Sequence, residues 1–261
     1  MKFMSVGFIG GGRVTKILVG GLKHSGFPLD AIVVSDIEPG GLEQLKQAYP
    51  GIEVTPDNRH VVGQHLIFVA VHPPVAKSVL GEVSAHLRRD SVLISLAPKL
   101  TIANLSGILS GFPRIVRMIP NAPSIIGQGY NPVTFSPGFT EMEKQGLQNF
   151  FSRFGESPVV PEEKLEAFVV ITAMSPTYFW FQWEELQQIG QSFGLREAEA
   201  REGISKMVKG AVETLYKSGL NPQEVMNLIL AKPLGDDEES IKRIYRTRLE
   251  AVYHKLTTNR N

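Results

Sequence analysis

Phe8-Ile9-Gly10-Gly11-Gly12-Arg13-Val14-Thr15 decides the fold, because this stretch joins an apolar strand pattern to a helical pattern through three glycines. Gly10 permits a tight turn, and Gly12 lets the backbone approach a pyrophosphate with no side chain in the way. The free N–H groups of the following helix would then hold the anion. In the usual fingerprint the third position is Gly or Ala, whereas Thr15 adds a hydroxyl and a methyl group. The stretch predicts a dinucleotide site, with a purely structural turn as the alternative.

Strand-like and helix-like patterns alternate through the first two-thirds of the chain. The predicted strands are Ser5–Ile9, Ala31–Ser35, Ile52–Thr55, His65–Val71, Ser91–Leu96 and Arg114–Ile119. Several are continuous apolar runs, as expected of parallel strands that are buried on both faces. The alternation predicts an α/β domain with a doubly wound, Rossmann-type parallel sheet.

From Glu162 onward the sequence shows helical periodicity alone. The predicted helices are Glu163–Phe193 (kinked at Pro176), Glu197–Lys217, Pro222–Ala231 and Asp237–Thr257. A length of 261 residues suits two domains. We expect a dinucleotide-binding domain over residues 1–160 and an all-α domain over residues 161–261. Because Ala167–Trp183 is apolar on every side, it is either a core helix of the second domain or a helix covered by a second subunit.

Composition excludes several classes of function. The net charge of +1 gives no field that would recruit nucleic acid or anionic lipid. The chain has no cysteine, which removes disulfide frameworks and thiolate chemistry, and its histidines lack ligand spacing, so we expect no metal. We find neither a secretory signal pattern nor an apolar run long enough for a membrane helix. A cytoplasmic protein is the simplest expectation.

Asp36 bears on which dinucleotide is bound, since it ends the second predicted strand. An acidic residue at this place hydrogen-bonds the adenosine ribose and repels a 2′-phosphate, which favours NADH over NADPH. The alternatives are that Asp36 caps the loop at Pro39 and that Arg13 reaches a phosphate.

Four motifs carry a resemblance to a known family. They are Ile115-Val116-Arg117-Met118-Ile119-Pro120-Asn121-Ala122-Pro123 followed by Gly127-Gln128-Gly129, then Ala70-Val71-His72-Pro73, Glu162-Glu163-Lys164-Leu165 and Pro176-Thr177-Tyr178. Together they resemble the pyrroline-5-carboxylate reductase family over nearly the full length. The resemblance implies hydride transfer from NAD(P)H to a cyclic imine. It also implies a homodimer through interlocking C-terminal helices, with the active site at the shared boundary.

The resemblance and the glycine turn together suggest the site residues. The expected cofactor-binding residues are Gly10, Gly11, Gly12, Arg13, Val14, Ser35, Asp36, Ala70, Val71, His72, Pro73, Ala97 and Asn121. The expected catalytic residues are His72, Asn121, Thr172 and Ser175. His72 replaces a family lysine; an imidazole can donate a proton near neutral pH, or it can simply hydrogen-bond a ribose or a carbonyl. Asn121 either binds the nicotinamide or its ribose, or caps the turn before Pro123.

Two stretches depart from the family pattern at the substrate end. Met174 and Thr177 add volume where the family keeps small residues. The family's Ser-Pro-Gly-Gly-Thr-Thr loop, which binds the substrate carboxylate, is here Lys232-Pro233-Leu234-Gly235-Asp236-Asp237, followed by two glutamates. Alternatively, acidic side chains at the start of a helix stabilise it through the helix dipole, and no ligand is needed to explain them. Under either interpretation pyrroline-5-carboxylate is doubtful as the substrate.

The leading hypothesis is therefore an NAD(P)H-dependent reductase that acts on a small imine. The first alternative is a catalytically inactive dinucleotide-binding sensor or scaffold, motivated by the altered stretches. The second keeps the sheet and uses a different redox carrier, such as a deazaflavin.

Overall fold

A computed structural model describes residues 5–258. Its strands are β1 (Val6–Ile9), β2 (Ile32–Ser35), β3 (Glu53–Thr55), β4 (Leu66–Val69), β5 (Val92–Ser95), β6 (Ile115–Met118), β7 (Gly129–Tyr130), β8 (Val133–Phe135) and β9 (Gly155–Glu156). Its α-helices are α1 (Arg13–His24), α2 (Pro39–Ala48), α3 (Asn58–Val61), α4 (Pro73–Val83), α5 (Ile102–Ile108), α6 (Glu141–Phe151), α7 (Leu165–Phe168), α8 (Pro176–Ser192), α9 (Glu197–Lys217), α10 (Pro222–Met226) and α11 (Glu238–Thr257).

The main sheet has seven strands in the order β3-β2-β1-β4-β5-β6-β8. The first six are parallel, which confirms the predicted doubly wound sheet, and β8 joins antiparallel to β6. The strand order reverses direction between β1 and β4, and in such sheets ligands bind beyond the carboxyl ends of the strands at this point. The topology therefore makes the end of β1 the place to look for a cofactor.

The core lies on both faces of the sheet. The rings of Phe8 and Phe68, on neighbouring strands, stack with centroids 4.9 Å apart. On one face α1 supplies Leu18, Val19 and Leu22, all fully buried. This packing fixes the angle at which α1 leaves the glycine turn.

The contacts divide the chain into two compact units, one up to Met174 together with the residues from Val252, the other Ser175–Ala251. The second unit is helical, as predicted. The domain boundary expected after residue 160 stays a prediction, although the last β-strand of the described chain, Gly155–Glu156, precedes it.

Two helix predictions are wrong in detail. The long helix expected over Glu163–Phe193 is broken into α7, a π-helical turn over Val169–Ala173, and α8. Pro176 is the first residue of α8, where its missing N–H costs nothing, and is not a kink within one helix. Helix α10 ends at Met226, five residues short of the prediction, because an apolar run alone does not distinguish a helix from an extended segment.

Within residues 5–258 no helix combines the length and the apolarity that crossing a membrane requires.

Candidate functional site

The turn between β1 and α1 has the backbone geometry of an anion cradle. Gly10 adopts φ +101°, and a Cβ there would lie 2.8 Å from the carbonyl oxygen of Ala70. Gly10 donates its N–H to Ser35 O at 2.7 Å, which fixes the turn to β2. A Cβ at Gly12, by contrast, would meet no atom within 4 Å. Gly10 is thus required by the fold, whereas Gly12 leaves open space that the fold does not use.

Thr15 fits where the fingerprint expects a smaller residue. Its side chain is fully buried, and its hydroxyl donates a short hydrogen bond to the carbonyl oxygen of Gly10. The turn therefore accommodates the extra hydroxyl and methyl group of Thr15. The side chain also ties the start of α1 back to the turn.

Helix α1 begins after Gly12, which is glycine and makes no side-chain capping bond to the helix. The N–H of Lys16 bonds to Gly12 O at 3.0 Å, which is the first hydrogen bond of this helix. The preceding amides of a first helical turn have no partner within the helix. Since the first turn of α1 holds no acidic residue and Arg13 is exposed beside it, this end attracts an anion.

Asp36 lies directly against the turn. One carboxylate oxygen accepts the N–H of Gly11 at 2.6 Å, and the other accepts the N–H of Glu38 at 3.0 Å. Asp36 thus holds the start of the loop at Pro39, as its alternative interpretation expected. It also borders a cavity of about 460 Å³ that extends along α2 to Val54 and Thr55.

The loops after β4 and β5 complete this edge of the sheet. Ala70 donates its N–H to Ile9 O at 2.8 Å, which places the Ala70–His72 backbone beside the glycine turn. His72 is exposed and precedes the first residue of α4. Ala97, two residues after β5, is buried.

The side chain of Asn121 bonds to two other segments of the chain. Asn121 precedes the 3₁₀ turn Ala122–Ile126, but its side chain makes no cap bond to that turn. Its amide oxygen accepts the N–H of Tyr130 at 3.1 Å, and its Nδ2 donates to Thr172 O at 3.4 Å. Asn121 therefore caps the turn before Pro123 through its backbone carbonyl, which accepts the N–H of Ser124 at 3.1 Å, while its side chain connects two separate segments.

Thr172 belongs to the π-helical turn Val169–Ala173, a conformation that occurs often at functional sites. Its hydroxyl donates to Phe168 O at 2.8 Å. The contact with Asn121 brings together two of the four predicted catalytic residues. Ser175 comes just before α8 and begins the second unit.

The Lys232–Asp237 loop is exposed along its whole length. Gly235–Asp237 forms a 3₁₀ turn that leads into α11. Glu238 bonds Lys242 at 2.5 Å, and this hydrogen bond, aided by the charge of Lys242, lowers the pKa of Glu238 below its usual value. Asp236 and Asp237 are both exposed in the single chain, and the loop borders a cavity of about 420 Å³.

Sequence reasoning missed a buried ion cluster. Arg117, in the middle of the motif around Pro120, is 1% exposed and pairs with Glu162 at 2.9 Å and with Glu166 at 2.7 Å. The sequence signal was weak, because these partners are 45 and 49 residues away. An arginine inside an apolar strand pattern was nevertheless a hint, since buried charges are almost always paired.

Of the residues described, no three or more histidine and carboxylate side chains group together in a way that would hold a metal ion.

Comparisons with known proteins find similarity to oxidoreductases, and most often to pyrroline-5-carboxylate reductases. Residues 5–99 match the model described as NADP oxidoreductase, coenzyme F420-dependent, and residues 162–259 match the model for pyrroline-5-carboxylate reductase dimerisation. The chain is 28% identical over 239 residues to the pyrroline-5-carboxylate reductase of Escherichia coli (strain K12), covering 91% of this chain and 88% of that protein. It is 28% identical over 224 residues to pyrroline-5-carboxylate reductase 3 of Danio rerio, covering 85% and 77%.

Solved structures show the same fold. The crystal structure of Plasmodium falciparum pyrroline carboxylate reductase with NADP bound has a TM-score of 0.83 at 21% identity, covering 98% of both chains. The enzyme of Streptococcus pyogenes gives 0.81 at 18% identity, again over 98% of both chains.

Proposed function

We propose that the chain is a member of the pyrroline-5-carboxylate reductase family and that it reduces the C=N bond of a small imine with a hydride supplied by bound NAD(P)H. The observation that carries the proposal is the glycine turn, where a Cβ at Gly12 would meet only open space and α1 begins without a side-chain cap. The named relatives are reductases, and none of the comparisons favours an inactive sensor or scaffold.

Residues along the carboxyl edge of the sheet would hold the cofactor. The proposed set is Gly10, Gly11, Gly12, Arg13, Val14, Ser35, Asp36, Ala70, Val71, His72, Pro73, Ala97 and Asn121. Backbone amides of the turn would bind the pyrophosphate, and Arg13 would add a positive charge. The geometry that supports this set is the bonding of the turn to β2, to Asp36 and to the Ala70 loop.

Asp36 supports a preference for NADH. Its carboxylate is held in place by two backbone N–H groups, so it cannot swing away from the ribose position at little cost. A 2′-phosphate brought there would meet a fixed like charge in a partly exposed site. The Plasmodium falciparum structure, by contrast, has NADP bound. The proposed preference for NADH would therefore distinguish this chain from that enzyme.

We assign the chemistry to His72, Asn121, Thr172 and Ser175. Asn121 Nδ2 carries two hydrogens. In the part of the chain that the structure describes, one of them is donated to Thr172 O. The other is available to orient a nicotinamide or its ribose. His72, exposed at the start of α4, would deliver the proton that the imine nitrogen requires.

The substrate end supports an imine that carries no carboxylate at the family position. Where the family has hydroxyl donors, this chain has exposed Asp236 and Asp237, and Lys242 is already paired with Glu238 and Glu239. A substrate carboxylate would therefore meet excess negative charge. We expect pyrroline-5-carboxylate to be a poorer substrate than a cyclic imine of the same ring size without the acid.

The proposed homodimer through the C-terminal helices is supported by how little of these helices is buried in the single chain. Residues 175–251, all of them described, contain one buried residue, Ala200, at 3% exposure. A helical unit without a core of its own needs another surface to cover its apolar side chains. The cytoplasmic location expected from the sequence stays a prediction.

The test begins with fluorescence titration of the purified protein with NADH and NADPH. The dinucleotide that binds more tightly is then tested as hydride donor to a panel of cyclic imines with and without a carboxylate. Reduced coenzyme F420 is tested as a third donor. Turnover of a carboxylate-free imine by NADH supports the whole proposal. Ordinary turnover of pyrroline-5-carboxylate contradicts the substrate assignment alone. Failure to bind either dinucleotide contradicts the function.

A further inference from the structure

The buried ion cluster at Arg117 lies outside the set of residues assigned to cofactor or substrate. Arg117 extends from β6 with 1% of its side chain exposed. Its Nη2 donates to Glu166 Oε1 at 2.7 Å, and Glu166 is equally buried. Its Nη1 donates to Glu162 Oε1 at 2.9 Å. One guanidinium group therefore fastens both ends of the Glu162–Glu166 stretch to the sheet.

The same two carboxylates also hold the loop after β5. Glu166 Oε1 accepts the N–H of Lys99 at 3.2 Å, and Glu162 Oε1 accepts the N–H of Ile102 at 2.7 Å. Lys99 has φ +73°, a backbone conformation that costs energy in a residue other than glycine. Because this loop begins at Ala97, the cluster reaches a segment that we assign to the cofactor.

A second bond fastens the far end of the same helical segment. Six residues beyond Glu166, the carbonyl of Thr172 accepts a hydrogen bond from Asn121. Asn121 itself follows Arg117 by four residues along the chain. The segment with its π-helical turn, Val169–Ala173, is thus held at its start by Arg117 and at its end by Asn121.

The energetics favour a geometric role over a stabilising one. A buried ion pair recovers little more than the cost of removing its charges from water, and an apolar replacement of equal volume is often as stable. What such a cluster does supply is a fixed arrangement of the groups around it. Here those groups are the Ala97–Ile102 loop and the turn that carries Thr172.

We propose that Arg117 and Glu166 are positioning residues, which set the Ala97–Ile102 loop and the Val169–Ala173 turn for reduction of the imine. The proposal rests on the proposed function for its chemical consequence. The anchoring of the two segments does not depend on the proposed function, because hydrogen exchange measures it without any substrate.

The experiment compares Glu166→Gln with the parent by hydrogen exchange and by steady-state kinetics. Glutamine keeps an acceptor for Lys99 and Arg117 but removes the charge. We expect amide exchange in residues 97–102 and 165–173 to accelerate about tenfold, with exchange in the glycine turn unchanged. On the best imine, kcat should fall about tenfold or more while KM for the dinucleotide stays within about twofold.

Glu143→Gln is the matched control, because it breaks an ion pair with Arg114 elsewhere in the same unit. It should leave kcat as in the parent, and it should speed exchange in the two segments no more than in the rest of the unit. Arg117→Lys keeps the charge but lacks the planar guanidinium group that bonds two carboxylates at once. This variant is used in the same experiment if Glu166→Gln does not fold.

Unchanged exchange in both segments overturns the anchoring. Faster exchange with unchanged kcat overturns the positioning role. If the parent reduces no imine at all, the proposed function fails, and the exchange result alone supports or overturns the anchoring.

Discussion

Gly10 and Gly12 differ in what they do, although they sit two residues apart in one turn. Gly10 has a positive φ and faces the carbonyl of Ala70, whereas Gly12 has room for a side chain. The fold thus accounts for the first glycine. The fold does not account for the second, since a Cβ at Gly12 would meet no atom within 4 Å, whereas the proposed dinucleotide would account for it.

Gly10→Ala should therefore destabilise the protein. The added Cβ would be forced within 2.8 Å of Ala70 O at a left-handed backbone position, which costs about 1–3 kcal/mol. Thermal unfolding of this variant and of Gly12→Ala measures the difference. Gly12→Ala should unfold near the parent temperature, and equal unfolding temperatures for all three proteins would contradict the structural reading of Gly10.

Asp36→Asn should shift the cofactor preference toward NADPH. Asparagine keeps an oxygen for the N–H of Gly11 but removes the charge that opposes a 2′-phosphate. At the dielectric of a partly exposed site the change is worth about tenfold in the ratio of the two dissociation constants. Titration with each dinucleotide gives that ratio, and a ratio equal to the parent's would rule out electrostatic selection by Asp36.

Among the elements, α6 carries a pH-dependent contribution to stability. The N–H of Thr140, followed by the Arg114 side chain and the Thr140 hydroxyl, lowers the pKa of Glu143 from 4.5 to about 2. In the unfolded chain the group takes up its proton near the ordinary value. The stabilisation is thus complete above pH 4.5 and is lost as the pH falls toward about 2.

Glu143→Gln should consequently be less stable than the parent at neutral pH, with the gap narrowing below pH 4.5. Urea unfolding at a series of pH values down to 3 measures the gap. A gap that stays constant across that series would show that the folded and unfolded pKa values of Glu143 do not differ.

Helices and strands were predicted from the sequence more accurately where their hydrophobic pattern extends over many residues. All six parallel strands were recognised; five of them are fully buried, whereas β3 at the sheet edge is partly exposed. Strand β8 was missed, since it is only three residues long and so carries almost no periodicity. The π-helical turn was missed because a local change of hydrogen bonding leaves the apolar spacing unaltered.

The candidate site was predictable where residues are neighbours in sequence and less so elsewhere. The turn at Gly10 and the acid at Asp36 follow from local motifs. The contacts of Asn121 with Thr172 and of Arg117 with Glu166 join residues 51 and 49 positions apart. A single sequence does not reveal which distant polar side chains meet.

For the whole molecule, the exposed apolar side chains of α8 need a partner surface. Trp180 is 49% exposed and Phe181 is 67% exposed in the single chain. Patches of this kind mark interfaces between proteins. The pyrroline-5-carboxylate reductase dimerisation model covers this helix.

Phe181→Lys should weaken the homodimer, because it places a charge on that apolar face. Analytical ultracentrifugation over a range of concentrations measures the shift toward monomer. Met142→Lys is the control, since Met142 is 84% exposed on α6, outside the helical unit. A parent protein that sediments as a monomer, or a Phe181→Lys dimer as tight as the parent's, would contradict the assembly.

The most direct test of the account is the affinity of the parent and of Gly12→Val for NADH, measured by fluorescence titration. The fold has space for a side chain at residue 12, so the variant should keep the parent's unfolding temperature. The account predicts that the parent binds NADH and that Gly12→Val does not, because the valine blocks the approach of the pyrophosphate to the amides of α1. Equal affinity in the two proteins would show that the glycine turn is structural and that the cofactor binds elsewhere.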